Sequence, residues 1–298
     1  MKDLLGMSRE EFNNFMNSFD TVVTDCDGVL WMGMDEIPGA VKVMTKFKEM
    51  GKKIFYVTNN STKTRVGFLD KFKKLGFNTN AVSSEVICTS YLAAQYISDH
   101  ADTNKKVYVI GSEGLAAELE TAGLKCFGIG PDPLGMDIGE FTSKFSIEQD
   151  VGAVVVGFDE HFSYPKMMKA ASYLYKQIHH LFRIFNYLLI LGTGALVRAV
   201  ETCANRKAFV VGKPEAYLRE VLMKEENITP SRTLMVGDRC NTDILLGKRC
   251  GFQTLMVLSG VTSLEEVHEW QQSKDPALTQ LVPDFYSETL GLLHSKIQ

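Results

Sequence analysis

The feature that most constrains the fold is a short apolar, β-branched run that ends in two carboxylates and a glycine. Thr21–Thr24 read TVVT and are followed by Asp25, Cys26, Asp27 and Gly28. A run this short, bounded by polar residues and glycine, predicts a buried strand of a parallel sheet. The carboxyl ends of such strands form the edge at which α/β proteins bind ligands. Side chains two positions apart leave an extended chain on the same side, so both carboxylates can act on one ligand.

Similar runs alternate with helical stretches along the chain. Helices are predicted, for example, from Pro38 to Met50 and from Ser112 to Ala122. The alternation predicts an α/β protein with a Rossmann-like, doubly wound parallel sheet. The predicted strands are Thr21–Asp25, Lys53–Thr58, Lys106–Gly111, Ala153–Gly157, Lys207–Gly212, Thr233–Asp238 and Gln253–Leu258.

The middle of the chain carries a βα pattern of its own. Its strands Lys106–Gly111 and Ala153–Gly157 lie between the second and third of the strands that end in polar residues. A second α/β unit in this position predicts an inserted domain. We expect residues 1–100 and 208–298 to form the core and residues 101–207 to form the inserted cap domain.

Four of the predicted strands end in groups that suit one reaction. In a parallel sheet their ends meet at one edge. A carboxylate can attack phosphorus when a divalent cation and an ammonium group offset the negative charge. The set therefore predicts phosphoryl transfer at a Mg²⁺ site with oxygen ligands. The groups are, in chain order, Asp25 with Asp27, Thr58 with Asn59 and Asn60, Lys213, and Asp238 with Asp243.

Each of these residues also has a simpler interpretation when it is taken alone. Aspartates at strand ends are usually helix caps or turn formers. The segment Thr58–Asn60 on its own is typical of a turn, and Lys213 before Pro214 is typical of a solvated helix start. Asp243 is expected to support the site or cap the next helix rather than to bind the metal directly. The complete set, spread over four strand ends, favours the functional interpretation.

Composition excludes several classes of function. The formal net charge of −4 and the pI near 5.9 argue against nucleic-acid binding and against a membrane-surface role. No apolar run reaches the ~18 residues that a membrane span needs, and the first residues lack a signal-peptide core. The six cysteines are scattered without metal-binding spacing, which indicates reduced thiols. We therefore expect a cytoplasmic protein with a small-molecule partner.

The ordered motifs DCDGVL, VTNNS, GKP and GDRCNTDI resemble those of the haloacid dehalogenase superfamily of Mg²⁺-dependent aspartyl phosphatases. More narrowly, the chain resembles the group with a large C2-type α/β cap inserted after the second motif. That group includes 4-nitrophenylphosphatases, phosphoglycolate phosphatases and pyridoxal phosphate phosphatases. Two segments, Val156–Tyr164 and Gly192–Thr202, are similar to the cap of this group, so the resemblance extends over nearly the whole chain.

The resemblance implies a role for each site residue. Asp25 is the nucleophile, and Asp27 protonates the leaving alcohol and then activates water. A dehalogenase lacks a carboxylate at the Asp27 position, since a halide leaves without a proton and an alkoxide does not. The implied metal ligands are the Asp25 carboxylate, the Asp27 backbone carbonyl and Asp238, and the implied phosphoryl contacts are Thr58, Asn59, Asn60 and Lys213.

The resemblance further implies hydrolysis of small phosphorylated metabolites. We expect 2-phosphoglycolate-like substrates first and pyridoxal 5′-phosphate second, with p-nitrophenyl phosphate as an artificial substrate. Phosphoprotein hydrolysis and a catalytically weak member with an altered cap are the alternatives within the family. A phospho-accepting signalling domain is an alternative outside it, against which the large insertion and Asp27 argue. The group also suggests a homodimer formed through the cap.

One segment departs from the pattern of the group. Where the relatives carry a polar, proline-containing loop before the glycine-rich G-[TS]-G segment, residues 179–191 read HHLFRIFNYLLIL. Three explanations stand side by side: an apolar specificity loop, a buried strand with a trimmed loop, or a segment from a different reading of the gene. His179 and His180 are expected to be surface residues rather than substrate contacts.

Overall fold

The structure is a computed structural model, and it describes residues 1–77, 81–175, 181–183, 193–226 and 228–297. The strands are β1 (Lys2–Asp3), β2 (Thr21–Thr24), β3 (Trp31–Met32), β4 (Asp35–Glu36), β5 (Lys53–Thr58), β6 (Val86–Cys88), β7 (Lys106–Ile110), β8 (Lys125–Phe127), β9 (Val151–Val156), β10 (Leu181–Arg183), β11 (Phe209–Val210), β12 (Thr233–Gly237), β13 (Gln253–Val257) and β14 (Phe285–Ser287). The helices are α1 (Arg9–Asn17), α2 (Ala40–Glu49), α3 (Arg65–Lys74), α4 (Thr89–His100), α5 (Glu113–Thr121), α6 (Ile138–Lys144), α7 (Tyr164–Tyr175), α8 (Thr193–Ala204), α9 (Tyr217–Glu226), α10 (Leu245–Cys250), α11 (Leu264–Gln272) and α12 (Pro276–Thr279).

A seven-stranded sheet carries the first motif strand near its centre. The order is β1-β14-β13-β12-β2-β5-β6, and β2 pairs in parallel with both β12 and β5. All four residues of β2 are buried, which explains why this strand is continuously apolar or β-branched rather than alternating. The predicted α/β class with a Rossmann-like parallel sheet is confirmed.

A second sheet has five strands in the order β11-β10-β9-β7-β8, and its neighbouring strands are parallel. Its β9 is buried along Ala153–Val156 and packs with α7 and α8 in one apolar core. Tyr108, from β7, and Tyr173, from α7, contribute the largest buried side chains of that core.

The described chain divides into two compact units by its contacts. The first comprises Met1–Thr58, Phe68–Ile87 and Lys213–Gln298, and the second comprises Asn59–Gly67 and Cys88–Gly212. The seven-stranded sheet belongs mainly to the first unit and the five-stranded sheet to the second. Residues 59–67, 88–100 and 208–212, which the sequence prediction assigned to the core, are grouped with the second unit by these contacts, and the domain division stays a prediction.

The predicted strand Lys207–Gly212 does not belong to the sheet of β2, so that part of the prediction is wrong. Only β11 (Phe209–Val210) is extended there, and it pairs with β10 in the five-stranded sheet. A two-residue strand contains too little pattern to specify its neighbour, so the sheet that it joins depends on tertiary contacts. Three residues later, Lys213 begins the last segment of the first unit.

One sequence prediction concerns a segment that is only partly described. Most of the apolar segment 179–191, including His179 and His180, lies outside the described residues, and only its residues 181–183 are placed, as β10.

Among the described helices, none combines the length and the apolar content that crossing a bilayer requires.

Candidate active site

Asp25 follows directly after β2 and is held by its own backbone neighbours. Its N–H donates to the Val236 carbonyl at 2.9 Å, which extends the pairing with β12 by one residue. Its Oδ1 accepts the Cys26 N–H at 2.7 Å. Burial raises the pKa of Asp25 well above its ordinary value, although the Lys213 ammonium acts in the opposite direction. The carboxylate thus depends on nearby positive charge to stay ionised.

That positive charge is the Lys213 ammonium, which is almost completely buried. Its Nζ lies 2.8 Å from Asp25 Oδ1 and 2.8 Å from Asp243 Oδ1, and it donates to the Val57 carbonyl at 3.1 Å. Burial alone lowers the pKa of Lys213, but the Asp243 and Asp25 carboxylates raise it above its ordinary value. Lys213 is therefore a buried cation that contacts the Asp25 carboxylate, while its role in catalysis stays a prediction.

Asp238 stands at the end of β12, next to Asp25 across the sheet. Its Oδ2 accepts the Val261 N–H at 2.9 Å, and its carbonyl accepts the Thr262 N–H at 3.0 Å. Burial, together with the neighbouring Asp243, raises the pKa of Asp238 to about 6. Its charged form is thus less favoured in the protein than in water.

Three carboxylates form a group that could hold a metal ion. Single oxygens of Asp25, Asp238 and Asp243 all lie within 4.8 Å of one another. With the Lys213 ammonium, three ionised carboxylates leave a net charge of −2, which one divalent cation would neutralise. Carboxylate oxygens are the ligands that Mg²⁺ and Ca²⁺ prefer. The donor set and the raised pKa values of Asp25 and Asp238 both fit such an ion.

Asp243 contributes more to this group than the sequence analysis predicted. Its Oδ2 accepts the Arg239 N–H at 3.1 Å, while its Oδ1 contacts Lys213. It lies on a π-helical turn, Cys240–Ile244, that brings it back toward the end of β12. Its distance of five residues from Asp238 was the signal available in the sequence, but that spacing did not reveal the turn.

Glycines allow the backbone to approach Asp238 closely. Gly28 has a φ of +84°, and a Cβ there would lie 2.6 Å from the Asp238 Cγ. A Cβ at Gly260 would lie 1.9 Å from the Asp238 Oδ2. No other residue type fits either position without displacing this carboxylate. The Ser259 hydroxyl adds a hydrogen bond to the Gly28 carbonyl at 2.6 Å, which ties the two loops together.

The Asp27 carboxylate lies outside the group of three and has its own partners. Its Oδ1 accepts the Trp31 indole N–H at 2.8 Å and lies 3.6 Å from the Lys71 Nζ. Neither Trp31 nor Lys71 was singled out from the sequence. Their spacing from Asp27, four and 44 positions, matches no motif.

The segment after β5 divides between the two units. Thr58 is the last, buried residue of β5 and belongs to the first unit. Asn59 and Asn60 belong to the second unit, where the Asn59 carbonyl accepts the Thr89 hydroxyl at 2.9 Å. The Asn60 Oδ1 accepts the Thr62 N–H at 2.8 Å, as in the predicted turn. The contacts of Asn59 and Asn60 with a phosphoryl group stay a prediction.

Comparison with known proteins identifies the family. Residues 22–125 match the family described as haloacid dehalogenase-like hydrolase, and residues 210–285 match a related haloacid dehalogenase-hydrolase-like family. A glycerol-3-phosphate phosphatase of Homo sapiens is 40% identical over 98% of this chain and 95% of its own length. A chronophin of Bos taurus is 38% identical over 91% of this chain and 90% of its own length.

A solved structure agrees with these sequence relatives. The p-nitrophenyl phosphatase from Archaeoglobus fulgidus matches with a TM-score of 0.75 at 28% identity, covering 93% of this chain and 99% of that one. The predicted family is confirmed, including its subgroup of capped phosphatases. The chain therefore belongs to the haloacid dehalogenase-like hydrolase family and is an enzyme that hydrolyses phosphoric monoesters.

Proposed function

We propose that this protein is a Mg²⁺-dependent phosphatase of small phosphorylated metabolites that works through an aspartyl-phosphate. The observation that carries the proposal is the contact of 2.8 Å between Lys213 Nζ and Asp25 Oδ1, beside the carboxylates of Asp238 and Asp243. A carboxylate nucleophile needs both a fixed cation and a metal, because its target is also negatively charged.

In the first half-reaction of the proposed mechanism, the phosphoryl group moves from the ester to Asp25. An Asp25 carboxylate oxygen forms a bond to phosphorus while the bond from phosphorus to the ester oxygen breaks. The electron pair of that bond goes to the leaving alkoxide, which takes a proton from Asp27. Lys213 offsets the charge on the nucleophile and the phosphoryl oxygens, and Thr58, Asn59 and Asn60 hold those oxygens.

The second half-reaction restores the enzyme. Asp27 accepts a proton from water, the water oxygen forms a bond to phosphorus, and the bond from phosphorus to the Asp25 oxygen breaks. A Mg²⁺ ion held by the Asp25 carboxylate, the Asp27 carbonyl and Asp238 would neutralise phosphoryl charge in both halves. The place of Asp243 in the carboxylate group supports it as a further ligand or as the partner that orients Lys213.

The names of the relatives guide the choice of substrates. Glycerol 3-phosphate, taken from the relatives that are 40% identical, joins 2-phosphoglycolate and pyridoxal 5′-phosphate as candidates. The test is steady-state hydrolysis of these esters and of p-nitrophenyl phosphate by the purified protein, with Mg²⁺ and with a chelator. We expect turnover only with Mg²⁺ and a preference for one small ester.

Two results would overturn the proposal. Absence of turnover on every ester would favour a catalytically weak member, and phosphate retained on the protein would favour the phospho-accepting signalling domain.

The cytoplasmic location and the homodimer through the second unit are further parts of the proposal. Light scattering after size exclusion measures the oligomeric state directly, and a monomeric mass would contradict the dimer.

A further inference from the structure

The carboxylate of Asp27 is held by two residues that belong to no motif. Its side chain is 45% exposed, so that without partners it would sample several rotamers. The Trp31 indole N–H donates to Asp27 Oδ1 at 2.8 Å. The loop between them is closed by backbone hydrogen bonds, from Gly28 N–H to the Trp31 carbonyl at 2.8 Å and from Leu30 N–H to the Cys26 carbonyl at 2.8 Å. The donor and the acceptor thus belong to one rigid loop.

The Trp31 ring itself cannot move independently. It is fully buried, and it packs edge-on against Phe72 and Phe77 at centroid distances of 5.1 and 5.9 Å. Phe72 belongs to α3, so the helix fixes the indole and, through its N–H, the direction in which the Asp27 carboxylate is held. Packed aromatic rings of this kind restrict rotation and add stability beyond buried area.

The same helix supplies a cation to the same oxygen. Lys71, one residue before Phe72, places its Nζ 3.6 Å from Asp27 Oδ1 and 4.2 Å from the centre of the Trp31 ring. Its side chain is only 10% exposed, so that water screens this charge less than it would on the surface. An ammonium over an indole face is favourable in itself, and it stabilises the position from which Lys71 attracts the carboxylate.

We propose that Trp31 and Lys71 are positioning residues that hold Oδ1 of Asp27 and so assign proton transfer to its other oxygen, Oδ2. Both contacts go to Oδ1, and no other hydrogen bond to this carboxylate occurs among the described residues. The inference rests on the proposed function, in which Asp27 donates a proton to the leaving alkoxide. A carboxylate that is already held in one orientation loses less conformational entropy when it donates its proton.

The test uses two substrates that differ in their need for a proton. Phenolate is a much stronger base than p-nitrophenolate, so phenyl phosphate depends on the acid more than p-nitrophenyl phosphate does. The kinetic constant is kcat/KM, since it reports the steps up to release of the alcohol. Trp31→Phe keeps the ring and removes the N–H. We expect it to lower kcat/KM for phenyl phosphate about tenfold, as loss of one hydrogen bond to a charged group would, and for p-nitrophenyl phosphate much less.

Three further variants separate positioning from packing. Lys71→Met should shift the substrate ratio in the same direction, and Lys71→Arg, which restores the charge, should recover it. Phe77→Leu loosens the packing of the Trp31 ring but keeps the N–H, so it should shift the ratio less than Trp31→Phe does. In an Asp27→Asn background, Trp31→Phe should change the ratio no further, because its effect passes through that carboxylate.

The outcomes distinguish this inference from the proposed function. If the unmodified protein hydrolyses neither phenyl ester with Mg²⁺, the proposed function fails. Suppose instead that the unmodified protein hydrolyses both esters. If Trp31→Phe then lowers kcat/KM equally for the two esters, or lowers it for neither, the positioning role is wrong. A shifted ratio that persists in the Asp27→Asn background would also overturn it, since the effect would then act through another group. Circular dichroism shows whether each variant is folded. If Trp31→Phe is not folded, the substrate ratio of Lys71→Met tests the positioning role in its place.

Discussion

At the scale of single residues, Lys213 explains how so many carboxylates can be buried close together. Its Nζ lies 2.8 Å from a carboxylate oxygen of Asp25 and of Asp243, and it donates a hydrogen bond to the Val57 carbonyl. A buried charge is tolerated when it is paired and hydrogen-bonded, and Lys213 has two carboxylates and one carbonyl as oxygen partners. Its removal therefore affects stability as well as chemistry.

Lys213→Met should lower the free energy of unfolding of the metal-free protein by about 3 kcal/mol, because it leaves buried carboxylates without their cation. Urea denaturation measures this value. Lys46→Met is the matched control, since Lys46 lies 2.9 Å from Glu49 in an exposed pair whose loss costs about 0.5 kcal/mol. Equal losses in the two variants would contradict the role given to Lys213.

Asp25→Asn should abolish turnover of p-nitrophenyl phosphate with Mg²⁺ while leaving the thermal unfolding midpoint nearly unchanged. Asparagine has almost the same shape, but its amide neither attacks phosphorus nor carries charge. Asp20→Asn, at an exposed residue just before β2, serves as the control and should keep full activity. Activity of the Asp25 variant above a trace would rule out the aspartyl-phosphate.

At the scale of elements, the loop after β2 is shaped by the need to approach Asp238. Gly28 adopts a left-handed conformation and leaves no room for a side chain between the loop and that carboxylate. The Asp238 carboxylate also accepts the Val261 N–H at 2.9 Å. The loop thus limits how closely Asp238 can lie to Asp25.

Gly28→Ala should raise the Mg²⁺ concentration for half-maximal activity by about tenfold, as changes next to metal ligands commonly do. Gly51→Ala is a close control, because Gly51 has a φ of +74° with nothing within 4 Å of the added Cβ. Both variants should lose about 1 kcal/mol of stability, because alanine is strained in a left-handed conformation. Only the displacement of Asp238 therefore distinguishes them. A similar Mg²⁺ requirement in both would show that the contact with Asp238 is unimportant.

How much of each element the sequence could predict depends on its length and surroundings. The strands β2, β5 and β12 were predicted within one residue because each is a buried run with one polar end. The sheet of Phe209–Val210 was not, since two residues carry no register information. The contact of Lys71 with Asp27 was also beyond prediction, because it joins a helix to a loop through one buried ring and follows no periodicity.

At the scale of the whole molecule, the first unit concentrates negative charge at one place. Three carboxylates face one ammonium, and burial raises the pKa values of Asp25 and Asp238, so their ionised forms are less favoured in the protein than in water. Any cation bound there relieves this repulsion in the folded state and does nothing comparable in the unfolded chain. Metal binding should therefore stabilise the entire fold of this unit.

Mg²⁺ should raise the thermal unfolding midpoint, and the increase should grow with Mg²⁺ concentration. Asp238→Asn should remove this increase and leave the metal-free variant at least as stable as the unmodified protein, because one repelling charge is gone. Differential scanning calorimetry with a chelator and with Mg²⁺ gives both values. If the Asp238 variant responded to Mg²⁺ as the unmodified protein does, the ion would be bound elsewhere.

The position of β2 between β5 and β12 has a consequence for biosynthesis. Its neighbour β5 follows soon after it in the chain, whereas β12 is translated only after the whole second unit. During that interval the nascent chain presents an apolar strand with one unpaired edge, a hazard for association with other chains. Ribosome-bound fragments that stop before Thr233 should accordingly recruit chaperones, and fragments that include β12 should release them.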